Sequence, residues 1–322
     1  MNKLLKVYGK FGGHLLIKQW IKAGIFFNTL SMAALLGFSK KGLEILRLAI
    51  QYKTQLKLKK RYNYILQDSK KNSYDLLVKN QSDKVWVCWL QGMDNAPLLV
   101  QRCYSSIQEN LINKEIIVVT SENLNKYVEF PLFIIEKWKK GIITNTHFSD
   151  LLRLEILIKH GGLWVDSTVL CTGNNIPEYI LNSDLFFYQI LKPGRDGHSI
   201  GLSSWLISSK SNSKVLLITR DLLYEYWKKN NFLIDYFLLH TFMEIVLDYY
   251  PEERNKVIKV CNSTPHILLL DIFKQYDKIK YGYIQEMSCF HKLSYKHSEE
   301  DIKKTNTYYD IIVNQGKWKI DN

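Results

Sequence analysis

At 322 residues, with 46% apolar and 23% charged side chains, the chain suits one large or two modest domains and is too apolar for wholesale disorder. Six prolines and sixteen glycines without a fixed period exclude a collagen-like or low-complexity chain. The net charge of +13 is confined to one end: residues 1–71 carry fifteen Lys and Arg against Glu44 and Asp68, and the remainder is neutral.

The basic N-terminal region, residues 1–75, reads as helical, with breaks near Gly12-Gly13 and Gly37 and Lys-rich faces from Gln51 to Gln67. Its longest uncharged stretch, Ala23 to Ser39, starts late and lacks a small-x-small cleavage site, so no secretory signal is read there. It is also short and diluted by Asn28, Thr29 and Ser31 for a bilayer span. With Lys22 on one side and Lys40-Lys41 on the other, residues 1–71 fit a helical segment lying on an anionic membrane surface. A helical hairpin packed on the body and a nucleic-acid surface are the alternatives. Only the basic count favours nucleic acid, and no recognition signature accompanies it.

From Lys84 the texture changes to a body, residues 76–322, read as one domain. Lys84–Leu90 (KVWVCWL) and Glu115–Thr120 (EIIVVT) are strand-like and flank a helix that begins near Pro97. That unit predicts a parallel pair with a right-handed crossover and hence an α/β core. In SDLLRLEILIKHGGLWVDSTVL, Leu151, Leu154, Leu157 and Ile158 recur at helical spacing, Gly161-Gly162 ends the helix, and a short LWVD strand carries Asp166 at its end. Asp184–Leu191 and Ser203–Ser208 read as further strands, Asn212–Lys229 and Ile234–Tyr249 as helices. The five cysteines (Cys88, Cys103, Cys171, Cys261, Cys289) are odd in number and widely spaced, and read as reduced core residues rather than a disulfide or zinc framework.

Asp150 and Arg153 lie three apart on one helix face and can act on one ligand. With the strand-end Asp166 they suit a sugar nucleotide: a guanidinium forks onto phosphate or hydroxyls, and carboxylates accept from sugar hydroxyls or hold a divalent cation. Each also has an ordinary explanation, a helix-surface pair for the first two and turn chemistry for Asp166-Ser167-Thr168. No G-x-S-x-G elbow, H-E-x-x-H helix, Walker loop or G-x-G-x-x-G fingerprint occurs.

The run HFSDLLRLEILIKHGGLWVDSTVL resembles the signature of the capsular polysaccharide synthesis family of glycosyltransferases, itself similar to a wider clan marked by a D-x-D motif that includes initiating mannosyltransferases and glucosylating toxins. WVCWLQGMDNAP, LIDYFLLH and HKLSYK add to the resemblance, which runs from about Lys84 to Lys296. It implies a GT-A fold, a Rossmann-like mixed sheet with flanking helices, and retaining transfer of a hexose from a nucleotide sugar. By carry-over, Trp89, Gln91, Gly92, Asp150, Arg153 and Lys292 would bind the donor and Asp166 would open the D-x-D. The second carboxylate is replaced by Thr168, so Mn²⁺ or Mg²⁺ either binds Asp166 with ligands from elsewhere or yields to a cation such as Arg153 or Lys292.

Asp235 is the candidate acceptor-side carboxylate, with His240 near it; a helix N-cap and a core histidine are their ordinary readings. His198, in PGRDGHSIG, is a candidate for a lid over the donor. The implied function is transfer of galactose or glucose from a UDP-sugar to a polyisoprenyl-diphosphate-linked oligosaccharide at the cytoplasmic face of the bacterial plasma membrane. A non-catalytic scaffold of the assembly machinery is the alternative.

Overall fold

The computed structural model describes residues 20–319 except 23, 38 and 192–199. Two helices, α1 (Phe26–Leu36) and α2 (Lys40–Arg61), fold against each other about Gly37, whose φ of 68° lets the chain reverse. Ser39 caps α2, its hydroxyl accepting the Gly42 N–H. A short α3 (Asn63–Ser69) follows. Leu58, Tyr62 and Leu66 are buried in the main core, where Tyr62 meets Phe242 edge-to-face at 5.6 Å and Ser69 bonds the Tyr250 hydroxyl. This region therefore shares a core with the sheet rather than standing apart from it. The break expected near Gly12-Gly13 lies outside the described residues.

The expected strand–helix–strand unit is present. β1 (Lys84–Cys88) pairs in parallel with β2 (Glu115–Val119), in register from Lys84↔Glu115 to Cys88↔Val119, with α4 (Leu98–Asn110) between them in sequence. Side chains alternate as strand periodicity requires: Trp86 enters one core, Val85 and Val87 the other. After α5 (Leu132–Lys139) comes α6 (Asn145–His160), started by a Thr144 cap and ended by Gly161. β3 (Gly162–Val165) then pairs in parallel with β1. Gly162 has φ +100°, and a Cβ there would collide with the Lys84 carbonyl, so only glycine lets β3 seat against β1.

β4 (Val169–Cys171), α7 (Glu178–Leu181), β5 (Leu185–Gln189) and β6 (Leu202–Ser209) follow. The main sheet runs β2-β1-β3-β6-β5, with β6 antiparallel to both β3 and β5. The helices α8 (Lys214–Lys229) and α9 (Leu238–Tyr249) pack with α6 over one face. α9 begins four residues later than the sequence suggests, because the Asp235 carboxylate accepts the Phe237 N–H and turns the chain before the helix starts. β4 forms a separate two-stranded ribbon with β7 (Phe290–Lys292), antiparallel, pairing Val169 with Lys292. The C-terminal apolar group Tyr308–Val313 closes a third cluster around Leu99 and Tyr281. All five cysteines are free.

Candidate active site

The C-terminal ends of the parallel strands β1 and β3 open on the same edge of the sheet, and antiparallel β6 brings its first residues there. Crevices at such strand ends are where open α/β sheets hold ligands. α6 delivers His147, Asp150 and Arg153 to this edge from one face, at intervals of three residues. All three are almost fully buried.

Buried charges persist when paired and hydrogen-bonded, and these are. Asp150 takes His147 Nδ1 on Oδ2 at 3.3 Å and Arg153 Nη1 on Oδ1 at 3.1 Å. Arg153 Nη1 also donates to the Ser204 carbonyl, at 3.1 Å, and to its hydroxyl. Nη2 reaches Asp166 Oδ1 at 3.2 Å, and the guanidinium lies over the Trp164 ring. Burial alone would raise the Asp150 pKa, but the Arg153 charge and the His147 bond outweigh it and hold the carboxyl below its ordinary value.

Asp166 stands at the end of β3, its N–H donating to the Trp205 carbonyl at 2.8 Å. Its Oδ1 accepts the Trp164 indole at 3.0 Å, and Lys292 Nζ lies 3.5 Å from Oδ2. The β4–β7 ribbon sets that lysine: pairing with Val169 places its ammonium where it also donates to the Thr168 hydroxyl. The Asp166 and Lys292 side chains are 26% and 21% exposed, so of these four charged groups they are the ones a ligand can reach.

The structure thus gathers Asp150, Arg153, Asp166 and Lys292. Trp89, just beyond β1, has a buried indole nitrogen without a hydrogen-bond partner and packs edge-to-face on Tyr295 at 5.6 Å, three residues past Lys292. Gln91 is exposed and Gly92 turns the chain at φ 83°, its N–H bonding the Trp89 carbonyl. His240 lies on α9, near enough to feel the Asp150 charge. Its Nδ1 is buried without a partner, and desolvation, opposed by the Asp150 charge, depresses its pKa to about 4, leaving it neutral at pH 7. Asp235 is pushed upward by burial against the pull of the Phe237 N–H and His147. The following Tyr236 packs edge-to-face on His147 at 5.6 Å. His198 lies outside the described residues.

His147, Ser204, Trp164 and Tyr295 join the site without being candidates in the sequence. His147 was findable, since it stands one helical turn before Asp150 within HFSD.

The implied divalent cation does not fit this donor set. Both Asp166 oxygens face a cation, Thr168 is engaged by the same lysine, and among the described residues no three His, Cys, Asp or Glu side chains converge on a point. Unit charges 4 Å apart near a protein surface interact by about 4 kcal/mol, so a divalent ion here would meet two strongly repelling neighbours.

The sequence pattern of the capsular polysaccharide synthesis proteins matches residues 39–312. The chain belongs to that family. Membership bears out the resemblance carried by HFSDLLRLEILIKHGGLWVDSTVL, and with it the enzyme class, a glycosyltransferase. Its match begins inside the helical region, consistent with α2 and α3 sharing the core of the capsular family body. No curated protein matches the chain. Among solved structures it is similar to one described as the PaToxG glycosyltransferase, at 13% identity over 84% of this chain and 98% of that one, with a TM-score of 0.36. That overlap is too loose to bear on the site. The mixed sheet with helices on both faces fits the GT-A-like arrangement that the resemblance implies.

Proposed function

We propose that the chain is a retaining hexosyltransferase of capsule synthesis. It moves galactose or glucose from a UDP-sugar to a polyisoprenyl-diphosphate-linked oligosaccharide at the cytoplasmic face of the bacterial plasma membrane. The observation that carries this reading is the convergence of Asp150, Arg153 and Asp166 at the open ends of β1 and β3. Asp166, the more exposed acid, faces the sugar hydroxyls; Arg153, fixed from behind by Asp150 and Ser204, holds Asp166 in place. The donor's C1–O bond breaks with its electron pair passing to the diphosphate. The acceptor oxygen bonds C1 on the same face, and its proton goes to the departing diphosphate, so no protein nucleophile is required. Asp235, beside the exposed Tyr236, lies on the acceptor side.

The surface of the helical region supports the membrane placement. Phe27, Leu30 and Leu35 on α1 and Ile45, Leu48 and Tyr52 on α2 are exposed, among exposed lysines 40, 41, 53 and 60. Apolar groups interleaved with cations suit an anionic headgroup layer. Among the described residues no helix is long and apolar enough to cross a membrane.

The test is a panel of nucleotide sugars assayed for slow hydrolysis and thermal stabilisation. UDP-galactose or UDP-glucose is expected to be cleaved, and Asp166→Asn is expected to abolish cleavage with the melting temperature within a few degrees of wild type. A chain that neither binds nor cleaves any member of the panel is a scaffold, and the reading falls.

A further inference from the structure

Two residues after Asp166 stands Thr168, a hydroxyl where a second carboxylate would complete the D-x-D of the wider clan that the sequence resembles. The replacement is not isolated. Lys292, 124 residues further on, is returned to the same point by the β4–β7 ribbon and donates to that threonine hydroxyl. A carboxylate at 168 would be a second anion on Lys292 beside Asp166, whereas threonine accepts from the ammonium without adding a negative charge. The Lys292 side chain is partly exposed and its ammonium lies 3.5 Å from Asp166 Oδ2; Tyr295, three residues on, packs against Trp89, whose indole nitrogen has no hydrogen-bond partner. Arg153, the other cation, is almost fully buried and already committed to Asp150, Asp166 and Ser204. Of the two, Lys292 alone is available to an incoming anion.

Resting on the donor-site reading above, we propose that Lys292 takes the donor diphosphate directly, so that the site binds and cleaves its nucleotide sugar without a divalent cation. A lysine ammonium is a compact point charge on a flexible stem and can swing from Asp166 onto a phosphate oxygen within its own length. When the C1–O bond breaks, its electron pair settles on the diphosphate, and Lys292 balances that growing charge. Asp166, released from the ammonium on Oδ2 but still gripped by Arg153 on Oδ1, turns the freed oxygen to the sugar. Thr168 holds the lysine in place between turnovers.

The experiment measures UDP affinity of the full chain by calorimetry, once in EDTA and once with Mn²⁺, for wild type, Lys292→Met and Lys292→Arg. UDP-sugar hydrolysis is followed in EDTA, and the Mn²⁺ resonance signal is recorded with UDP present. Wild type is expected to bind UDP equally well, within about twofold, in both buffers, to cleave donor in EDTA and to leave the Mn²⁺ signal that of free UDP–Mn²⁺. Lys292→Met is expected to lose about tenfold or more in UDP affinity at an unchanged melting temperature, and Lys292→Arg to recover most of it. Affinity that requires Mn²⁺, a protein-bound Mn²⁺ signal, or an unaltered Lys292→Met overturns the lysine inference and leaves the donor site standing. Absence of UDP binding in both buffers overturns both.

Discussion

Arg153 Nη1 sits 3.1 Å from Asp150 Oδ1, one turn along the same helix, and both side chains are almost completely withdrawn from water. This pair is the fixed wall against which the more exposed Asp166 and Lys292 are set.

Removing one partner of a buried ion pair leaves the other uncompensated. Arg153→Ala is therefore expected to destabilise the fold by about 3–5 kcal/mol, in addition to weakening donor binding. Arg153→Lys is expected to recover little, because one ammonium cannot span Asp150, Ser204 and Asp166 as the fork does. Urea denaturation measures the first effect and UDP-sugar titration the second.

Acid should loosen the molecule in two stages. His240 and His291 both have folded pKa values of about 4, depressed by burial from 6.5. Their unfolded forms bind protons that the folded forms do not, so each contributes stability fully present above pH 6.5 and lost as pH falls toward 4, up to about 3 kcal/mol apiece. Asp150, also depressed, is expected to add a loss further down, below the ordinary carboxylate range. Melting temperatures from pH 7 to 4.5 should fall steeply for wild type and less steeply for His240→Asn. Parallel curves would show that His240 is not the titrating group.

Gly162→Ala tests the seat of β3. The added methyl meets the Lys84 carbonyl at a positive φ, so a loss of about 2–4 kcal/mol is expected, with activity falling as the end of β3 shifts under Asp166. Melting and donor hydrolysis of the same sample give both readouts.

Replacing Phe27, Leu30 and Leu35 together by Ser is expected to leave the melting temperature of the body unchanged, since all three are exposed, and to abolish flotation with anionic vesicles. Vesicles of zwitterionic lipid alone should retain little of either protein. Equal flotation of the triple variant would remove α1 from the membrane contact.

Much of this arrangement is written locally. The glycine pair, the apolar period of α6 and the strand-end Asp166 lie within one stretch of chain, so helix, turn and strand follow from nearest-neighbour rules. Asp150 and Arg153 share a face by helix geometry alone. The pairing of Lys292 with Thr168 is different: it depends on a ribbon of three residues per strand, too short for any alternating pattern to announce it. The late start of α9 depends on one side chain, Asp235, capturing an N–H two residues on. Trp89 was legible as a residue at a strand end, whereas its contact with Tyr295 crosses more than two hundred residues.

Tyr62 and Leu66, rooted among Phe242, Tyr226 and Trp227, have a practical consequence for anyone shortening this chain. A version starting at residue 76 would strip the lid from a greasy socket and should precipitate, however soluble its remaining surface. The segment from the end of α2 through α3 cannot be swapped for a neutral tag either, unless the replacement brings its own tyrosine and leucine plugs. The folded body therefore begins where the last turns of α2 and α3 enter its core, well before the first strand.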